Sequence, residues 1–199
     1  SGYFVNITEQ DDKIMIEGLC CDVENFDVVY NLHYLNNLVS YPYVCPIDIS
    51  FAIPILENPT ITQIIGEGVA AIVNDGQWVG SLDELKAFEG YWISSNENDV
   101  DFSFNGYETC DCSSLNQTSG RVDTRQIPEG YEFAQSTQQA FYFIEDISLD
   151  GMELTQDDYL IAMYNGHVVG ARAYNGPYTD IPVMGFDPLI SETQNYIIQ

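Results

Sequence analysis

Apolar and polar residues alternate with a period of two along many short segments of this chain. The clearest segments are residues 13–16, 27–32, 90–94 and 100–104. This period places successive side chains on opposite faces of a β-strand, one toward a core and one toward water. The pattern therefore predicts an all-β fold with minor α-helix.

Hairpin signals dominate the C-terminal part of the sequence. Residues 139–144 form an aromatic strand pattern, and Asp150-Gly151 is a tight-turn dipeptide. Residues 159–164 lead into Asn165-Gly166, and residues 167–174 return as the partner strand. Asn-Gly and Asp-Gly supply the left-handed backbone that two-residue hairpin turns require, so these segments predict successive hairpins.

Helical signals are few. The best is residues 81–88, where Ser81 is a candidate N-cap with Glu84 three residues later. We expect one short helix there. Residues 61–65, which follow Asn58-Pro59-Thr60 and end before Gly66, are compatible with either a single helical turn or a strand.

A change of composition divides the chain. Between about residues 107 and 129 the sequence is rich in Ser, Thr, Asn, Asp and Gly. Such a stretch is typical of a linker. We therefore predict an N-terminal β domain over 1–106, a linker over 107–129, and a C-terminal β-sandwich-like domain over 130–199. The predicted architecture is two tandem β-sandwich-like domains.

The charge balance is strongly acidic. Asp and Glu number 31 against 5 Lys and Arg, for a net charge of −26. Binding to nucleic acid needs a basic surface, so nucleic acid is excluded as a partner, and anionic membranes are disfavoured. The acids alternate with apolar residues, which indicates a folded surface whose repulsion bound cations would relieve, with Ca²⁺ the first candidate.

The ends and the hydrophobic runs give no sign of a membrane segment. No apolar run approaches the roughly 20 residues that span a bilayer. The first residues lack the basic start of a signal peptide, so we expect a mature or excised product.

The cysteines and the glycosylation sequons favour an extracellular location. Neither the cysteine spacing nor the few histidines match a zinc site, so disulfides are expected, with one cysteine left free or linked to another subunit. The disulfide candidates are Cys20, Cys21, Cys45, Cys110 and Cys112. Asn6 and Asn116 begin Asn-X-Thr sequons and are candidates for N-glycosylation.

Calcium ligands are expected in acidic clusters, because Ca²⁺ prefers carboxylate and carbonyl oxygens. No EF-hand loop is present, so a site must combine separate loops. One cluster surrounds the Asp150-Gly151 turn, a second lies in a predicted loop over residues 179–187, and a weaker third comprises Asn96, Asn98 and Asp99. The candidate metal ligands of the first two clusters are Asp146, Asp150, Asp157, Asp158, Asp180 and Asp187. The alternative is a set of solvated turn acids.

Two stretches carry a family resemblance. The first contains YNLHYLNNLVSYPY and IIGEGVAAIVNDGQWVGSLDELKAFEGYWI, and the second is QSTQQAFYFIEDISLDGMELTQDDYLIAMYNGHVVGARAYNGPYTDIPVMGFD. Over residues 27 to 196 the chain resembles repeat units of large secreted, calcium-associated, adhesin-like proteins of aquatic microbes. Asp157-Asp158-Tyr159 stands where those units often have Gly-Asp-Trp. The resemblance implies an extracellular structural module.

Signals for catalysis are absent from the sequence. The two histidines, His33 and His167, fall in different predicted domains, and neither a nucleophile elbow nor a phosphate-binding loop occurs. Any two of the many carboxylates could serve a glycosidase, but nothing marks a pair. We therefore expect that the protein is not an enzyme.

The expected function is that of an extracellular structural or adhesive module that assembles with copies of itself into a fibre, tube or matrix. Strand addition by residues 3–5 or 196–198 and carboxylate–cation contacts would join the copies. Alternatively, both ends close the molecule's own sheets. A second candidate is a carbohydrate-binding module that uses Trp78, Trp92 and Tyr174. A hydrolase with paired carboxylates is the third.

Overall fold

The computed structural model describes residues 28–43, 46–87, 89–105 and 127–198. Strands dominate these ranges, which confirms the prediction of an all-β fold with minor helix. The elements up to residue 105 are β1 (Tyr30–Leu32), β2 (Leu35–Ser40), β3 (Ile47–Asp48), α1 (Ile49–Ala52), β4 (Ile61–Ile65), β5 (Ala70–Asn74), β6 (Gln77–Gly80), β7 (Glu84–Leu85), β8 (Gly90–Ser95) and β9 (Val100–Phe102). The later elements are β10 (Gln139–Ile144), β11 (Ser148–Leu149), β12 (Met152–Glu153), β13 (Tyr159–Tyr164), β14 (His167–Ala173), β15 (Thr179–Met184) and a 3₁₀ turn at Ser191–Thr193.

The described residues fall into two compact units. Unit 1 holds residues 28–66, 73–78 and 83–105, and unit 2 holds 67–72, 79–82 and 127–198, apart from the gaps given above. The predicted division differs in that it assigns 67–72 and 79–82 to the N-terminal domain. The predicted linker 107–129 lies outside the described residues except for its last three positions, and the two-sandwich arrangement stays a prediction.

Within the described ranges, the largest sheet has five strands in the order β2-β8-β4-β5-β6. Strand β8 pairs antiparallel with both β2 and β4. Its Tyr91 and Ile93 are fully buried, whereas Trp92 between them is 36% exposed. The alternation predicted for residues 90–94 is therefore confirmed, since one face of this strand contributes to the core and the other does not.

The predicted helix over residues 81–88 is wrong. Glu84 and Leu85 form β7, which pairs with β3, and the Asp83 carbonyl accepts a 2.9 Å hydrogen bond from the Ile49 N–H. Leu82 and Leu85 are buried. The capping pattern is a local preference worth about 1 kcal/mol, and pairing with β3 plus burial of two leucines outweighs it.

The structure also differs from the helix predictions in two further short segments. Residues 61–65 form strand β4, so the helical-turn alternative is wrong. The α-helix that does form, α1, has four residues and begins after Asp48, whose carboxylate accepts a 2.8 Å hydrogen bond from the Ser50 N–H. This cap was not among the predicted helix signals.

The predicted hairpins of unit 2 are confirmed. Strands β11 and β12 meet at Asp150-Gly151, and β13 and β14 meet at Asn165-Gly166. All four turn residues have positive φ, between 49° and 83°. Positive φ at both central positions gives the primed turn whose twist matches that of paired strands.

Strands distant in sequence also pair in unit 2, because β10 runs antiparallel to β15 over six residue pairs. Strand β14 approaches β15 so closely at one point that a Cβ added to Gly170 would overlap the Pro182 carbonyl oxygen. Only glycine fits there. The core of this unit contains Val169, Met184 and Tyr196.

The C-terminal segment is held by unit 2. The Tyr196 hydroxyl accepts a 2.8 Å hydrogen bond from the Ala134 N–H, and the Ile197 carbonyl accepts one of the same length from the Phe186 N–H. For Tyr196 and Ile197 the structure therefore favours closure of the molecule's own fold over donation to a neighbour. Ile198 is exposed.

Candidate functional site

The acids around the Asp150-Gly151 turn occupy separate positions. Asp150 forms part of the β11–β12 turn. The Asp158 carboxylate accepts hydrogen bonds from the Thr155 N–H at 2.7 Å and the Thr155 hydroxyl at 3.0 Å, while the Asp157 N–H donates to that hydroxyl. These contacts shape the loop before β13. Asp146 lies between β10 and β11.

Asp180 and Asp187 belong to two different networks. Asp180 lies within β15 and is 1% exposed, whereas Asp187 follows the strand. The prediction of a loop is therefore wrong for residues 179–184, because they pair with β10. One Asp187 oxygen accepts a 2.6 Å bond from the Thr137 hydroxyl, and the other accepts a 2.9 Å bond from the Leu189 N–H. These bonds, that from Thr137 first, hold the pKa of the Asp187 carboxyl below its usual range.

Asp180 forms a buried ion pair with Arg172, a residue that the sequence-based inference did not select. One Arg172 Nη atom lies 2.9 Å from an Asp180 carboxylate oxygen and 2.7 Å from the Gly68 carbonyl oxygen. The Ser81 hydroxyl donates to the same carboxylate oxygen at 2.9 Å. Burial raises the pKa of the Asp180 carboxyl, and Arg172 and Ser81 oppose that shift. Through the Gly68 carbonyl and the Ser81 hydroxyl, this ion pair links residues 67–72 and 79–82 to the rest of unit 2.

No group of three or more His, Cys, Asp or Glu side chains in the described ranges is placed to hold a metal ion. In the weaker third cluster, the Asn98 side chain accepts a 2.9 Å hydrogen bond from the Tyr34 N–H, and Asp99 has a φ of 57°. Both residues therefore help form the loop between β8 and β9.

The aromatic residues of the predicted sugar platform fall in both units. Trp78 and Trp92 belong to unit 1, and Tyr174 belongs to unit 2. The Trp78 indole N–H donates a 2.9 Å hydrogen bond to the Ile53 carbonyl. Trp78 also lines a shallow pocket of about 470 Å³ together with Ser50, Leu56 and other residues of unit 1.

The disulfide and glycosylation candidates lie outside the described residues. They are Cys20, Cys21, Cys45, Cys110, Cys112, Asn6 and Asn116.

The most distinctive surface feature of unit 2 is an apolar groove of about 510 Å³. Strands β10, β11, β13 and β15 line it, together with the loop before β13. Among the described residues that line it, Ser148 and Asp158 are the only polar side chains apart from the tyrosine hydroxyls. The sequence signal for it is the run of aromatic and β-branched residues in 139–164, which by itself predicts strands and not a groove.

Large apolar side chains on and near this groove face solvent. The lining residues Tyr142 and Leu149 are more than half exposed, and so are Met152, which pairs with Leu149 in the β11–β12 ladder, and Met163, which follows the lining residue Ala162. Exposed apolar clusters of this kind are typical of contact surfaces for other molecules. We call the surface formed by the groove and these four residues the apolar surface of unit 2.

Comparison with known proteins finds no protein-family model, no curated protein and no solved structure that matches this chain. Neither helix in the part of the chain that the structure describes has the length and apolarity needed to cross a membrane.

Proposed function

We propose that this chain is an extracellular structural module, without catalytic activity, that associates with copies of itself. The observation that carries the proposal is the apolar surface of unit 2, because it exposes several large side chains in a protein of net charge −26. Hiding this surface from water would favour association by about 25 cal/mol per Å² of apolar area removed.

Electrostatic repulsion determines the conditions under which such copies can associate. Two chains that each carry −26 repel one another, and the repulsion is weakened by salt or by cations bound between carboxylates. We therefore include Ca²⁺ in the proposal, as an ion shared between carboxylates of neighbouring copies. The expected products are fibres, tubes or a matrix.

An extracellular location is supported by the sequence alone. Five cysteines and two sequons suit an oxidising, glycosylating compartment, and the resemblance to secreted repeat units points the same way.

The test is negative-stain electron microscopy and sedimentation velocity of the purified chain, first with millimolar Ca²⁺ and then after chelation. We expect ordered assemblies with Ca²⁺ that shrink when the ion is removed. If assemblies survive prolonged chelation, the proposed contacts through Ca²⁺ are wrong, but self-association stands. A chain that stays monomeric under all conditions would contradict self-association.

A matched pair of variants addresses the surface. Met152→Asp adds a charge to the apolar surface of unit 2 and is expected to reduce assembly. Leu56→Asp adds the same charge at a side chain of unit 1 that is 97% exposed, and it should leave assembly unchanged. Equal effects of the two variants would show that added charge, and not this surface, is what matters.

The pocket beside Trp78 supports a second candidate function, glycan binding in unit 1. Ser50, Glu57 and Gln77 contribute polar groups next to the indole ring, which is the combination that sugars contact. Glycan-array binding that Trp78→Phe weakens and Trp92→Phe does not would support this function. Absence of binding to any glycan would remove it.

A further inference from the structure

The groove of unit 2 reaches the backbone edge of one strand. Five consecutive residues from Asp158 to Ala162 line it, so both faces of the first part of β13 are present. A strand that offered only one face would contribute every second residue. The groove therefore runs along the side of β13, and the far side of the groove is apolar.

One edge of β13 has no strand partner in the part of the chain that the structure describes. Among the described residues β13 pairs with β14 alone, on one side. Its other side has no strand partner among those residues, and an unpaired strand edge is the geometry that accepts an added strand. Across the groove, Tyr142 and Ile181 are directly paired in the β10–β15 ladder and offer apolar contacts to alternate side chains of such a strand.

The chemistry of the groove defines its occupant. The Asp158 carboxylate already accepts two hydrogen bonds from Thr155, and the other lining side chains carry no charge. An extended segment with apolar side chains and no carboxylates fits this lining, because a buried unpaired charge is costly. A segment of about six residues, roughly 20 Å, matches the length of β13.

One stretch of this chain outside the described ranges has that chemistry. Residues 3–7, Tyr-Phe-Val-Asn-Ile, are apolar at four of five positions and rich in aromatic and β-branched residues, and residues 1–8 contain no charged side chain. Residues 14–16 are also apolar, but acids and a lysine flank them closely. Residues 106–126 are mainly polar.

We propose that the groove beside β13 accepts residues 3–7 of a second copy of this chain as an added β-strand. This inference rests on the proposed self-association and gives it a contact. Tyr3, Val5 and Ile7 would enter the groove from one face of the added strand, and backbone hydrogen bonds to β13 would set its register. The contact is head-to-tail, so it joins copies into open polymers or closed rings instead of stopping at a dimer.

The test is a complementation experiment. Val5→Asp disables the donated segment, and Tyr142→Glu disables the groove. Because the Tyr142 side chain is 58% exposed, unit 2 should still fold with this substitution. Each variant alone is expected to sediment as a monomer in Ca²⁺-containing buffer. Mixed together, they should form a 1:1 dimer that grows no further, because each copy has one working half of the contact.

Two control variants carry the same charges elsewhere. Val29→Asp lies at an exposed position of unit 1, and Tyr131→Glu lies at an exposed tyrosine of unit 2 outside the groove. Both should assemble as the unmodified chain does. Circular dichroism of every variant verifies the fold.

The outcomes separate the two proposals. If the unmodified chain assembles and the Val5 and Tyr142 variants assemble equally well, the groove contact is wrong and self-association stands. If both variants are monomeric and their mixture stays monomeric, the segment does not act between copies. An unmodified chain that never assembles removes both proposals.

A direct binding measurement remains decisive even if a variant misfolds. A fluorescent peptide of residues 1–8 is titrated into the Val5→Asp chain, with a scrambled peptide as control. We expect saturable binding that Tyr142→Glu weakens by about tenfold or more. Equal binding of the scrambled peptide would overturn the proposal.

Discussion

Arg172 is one of only 5 basic residues in the chain, and it is buried in unit 2. Its guanidinium bonds to the Asp180 carboxylate, the Asp180 carbonyl and the Gly68 carbonyl. Asp180 was a candidate calcium ligand, and its partners in the structure are instead an arginine and a serine. A buried carboxylate that loses such a partner is left with its full desolvation cost.

We predict that Arg172→Ala lowers the free energy of unfolding by about 3–5 kcal/mol, because it leaves the buried Asp180 carboxylate unpaired. Urea denaturation followed by circular dichroism measures the change. The double variant Arg172→Met with Asp180→Leu should recover much of the loss, since it removes both charges. A loss below about 1 kcal/mol, as for an exposed pair, would contradict this role.

The Thr137–Asp187 bond makes a pH-dependent contribution to stability. The native pKa of Asp187 is lowered, so its stabilisation is complete above the pKa of an unfolded aspartate, about 3.9, and is lost as the pH falls through the native value. We predict that Thr137→Val destabilises the protein at neutral pH and that its difference from the unmodified chain narrows below about pH 4. Urea denaturation across pH 2–7 checks this, and a difference that does not change with pH would contradict it.

At the scale of elements, strand β7 shows how pairing can override a local signal. The capping pattern at Ser81 and Glu84 is real in sequence, but the Ser81 hydroxyl is used by Asp180 and Leu85 is fully buried. A capping preference depends on a few neighbouring residues, whereas the β3–β7 pair brings together residues nearly forty positions apart. Only the folded chain decides between them.

We predict that Leu85→Ala lowers the free energy of unfolding by about 2–5 kcal/mol, since it leaves a cavity where the side chain was fully buried. Leu56→Ala, at an exposed leucine of the same unit, is the matched control and should change stability by less than about 0.5 kcal/mol. Chemical denaturation measures both. Similar small effects for the two leucines would contradict the burial of β7.

At the scale of the whole molecule, the excess of carboxylates opposes folding as well as association. Screening weakens the repulsion, because the Debye length falls from about 10 Å at 0.1 M salt to about 3 Å at 1 M. We predict that the melting temperature rises by a few degrees between low and high NaCl, measured by scanning calorimetry. CaCl₂ at equal ionic strength should raise it further if carboxylates bind the ion specifically. A melting temperature that falls with NaCl would contradict this account.

The sequence by itself determined the fold class, strands β10, β13 and β14 of unit 2, and the two hairpin turns in that unit. Alternation of side chains and the left-handed preference of Asn-Gly and Asp-Gly are local properties, so residues 139–144 and 159–164 were predicted with the bounds that the structure has. The acidic net charge is likewise determined by the numbers of Asp, Glu, Lys and Arg in the sequence.

Only the tertiary structure decided what the acids and the short segments do. Asp180 and Asp187 are seven positions apart in sequence, yet one is paired with Arg172 inside the fold and the other bonds to Thr137. The groove beside β13 also needs β10 and β15, which are distant in sequence from each other. Ion pairs, strand partners and grooves depend on which distant residues meet, and no periodicity within a segment contains that information.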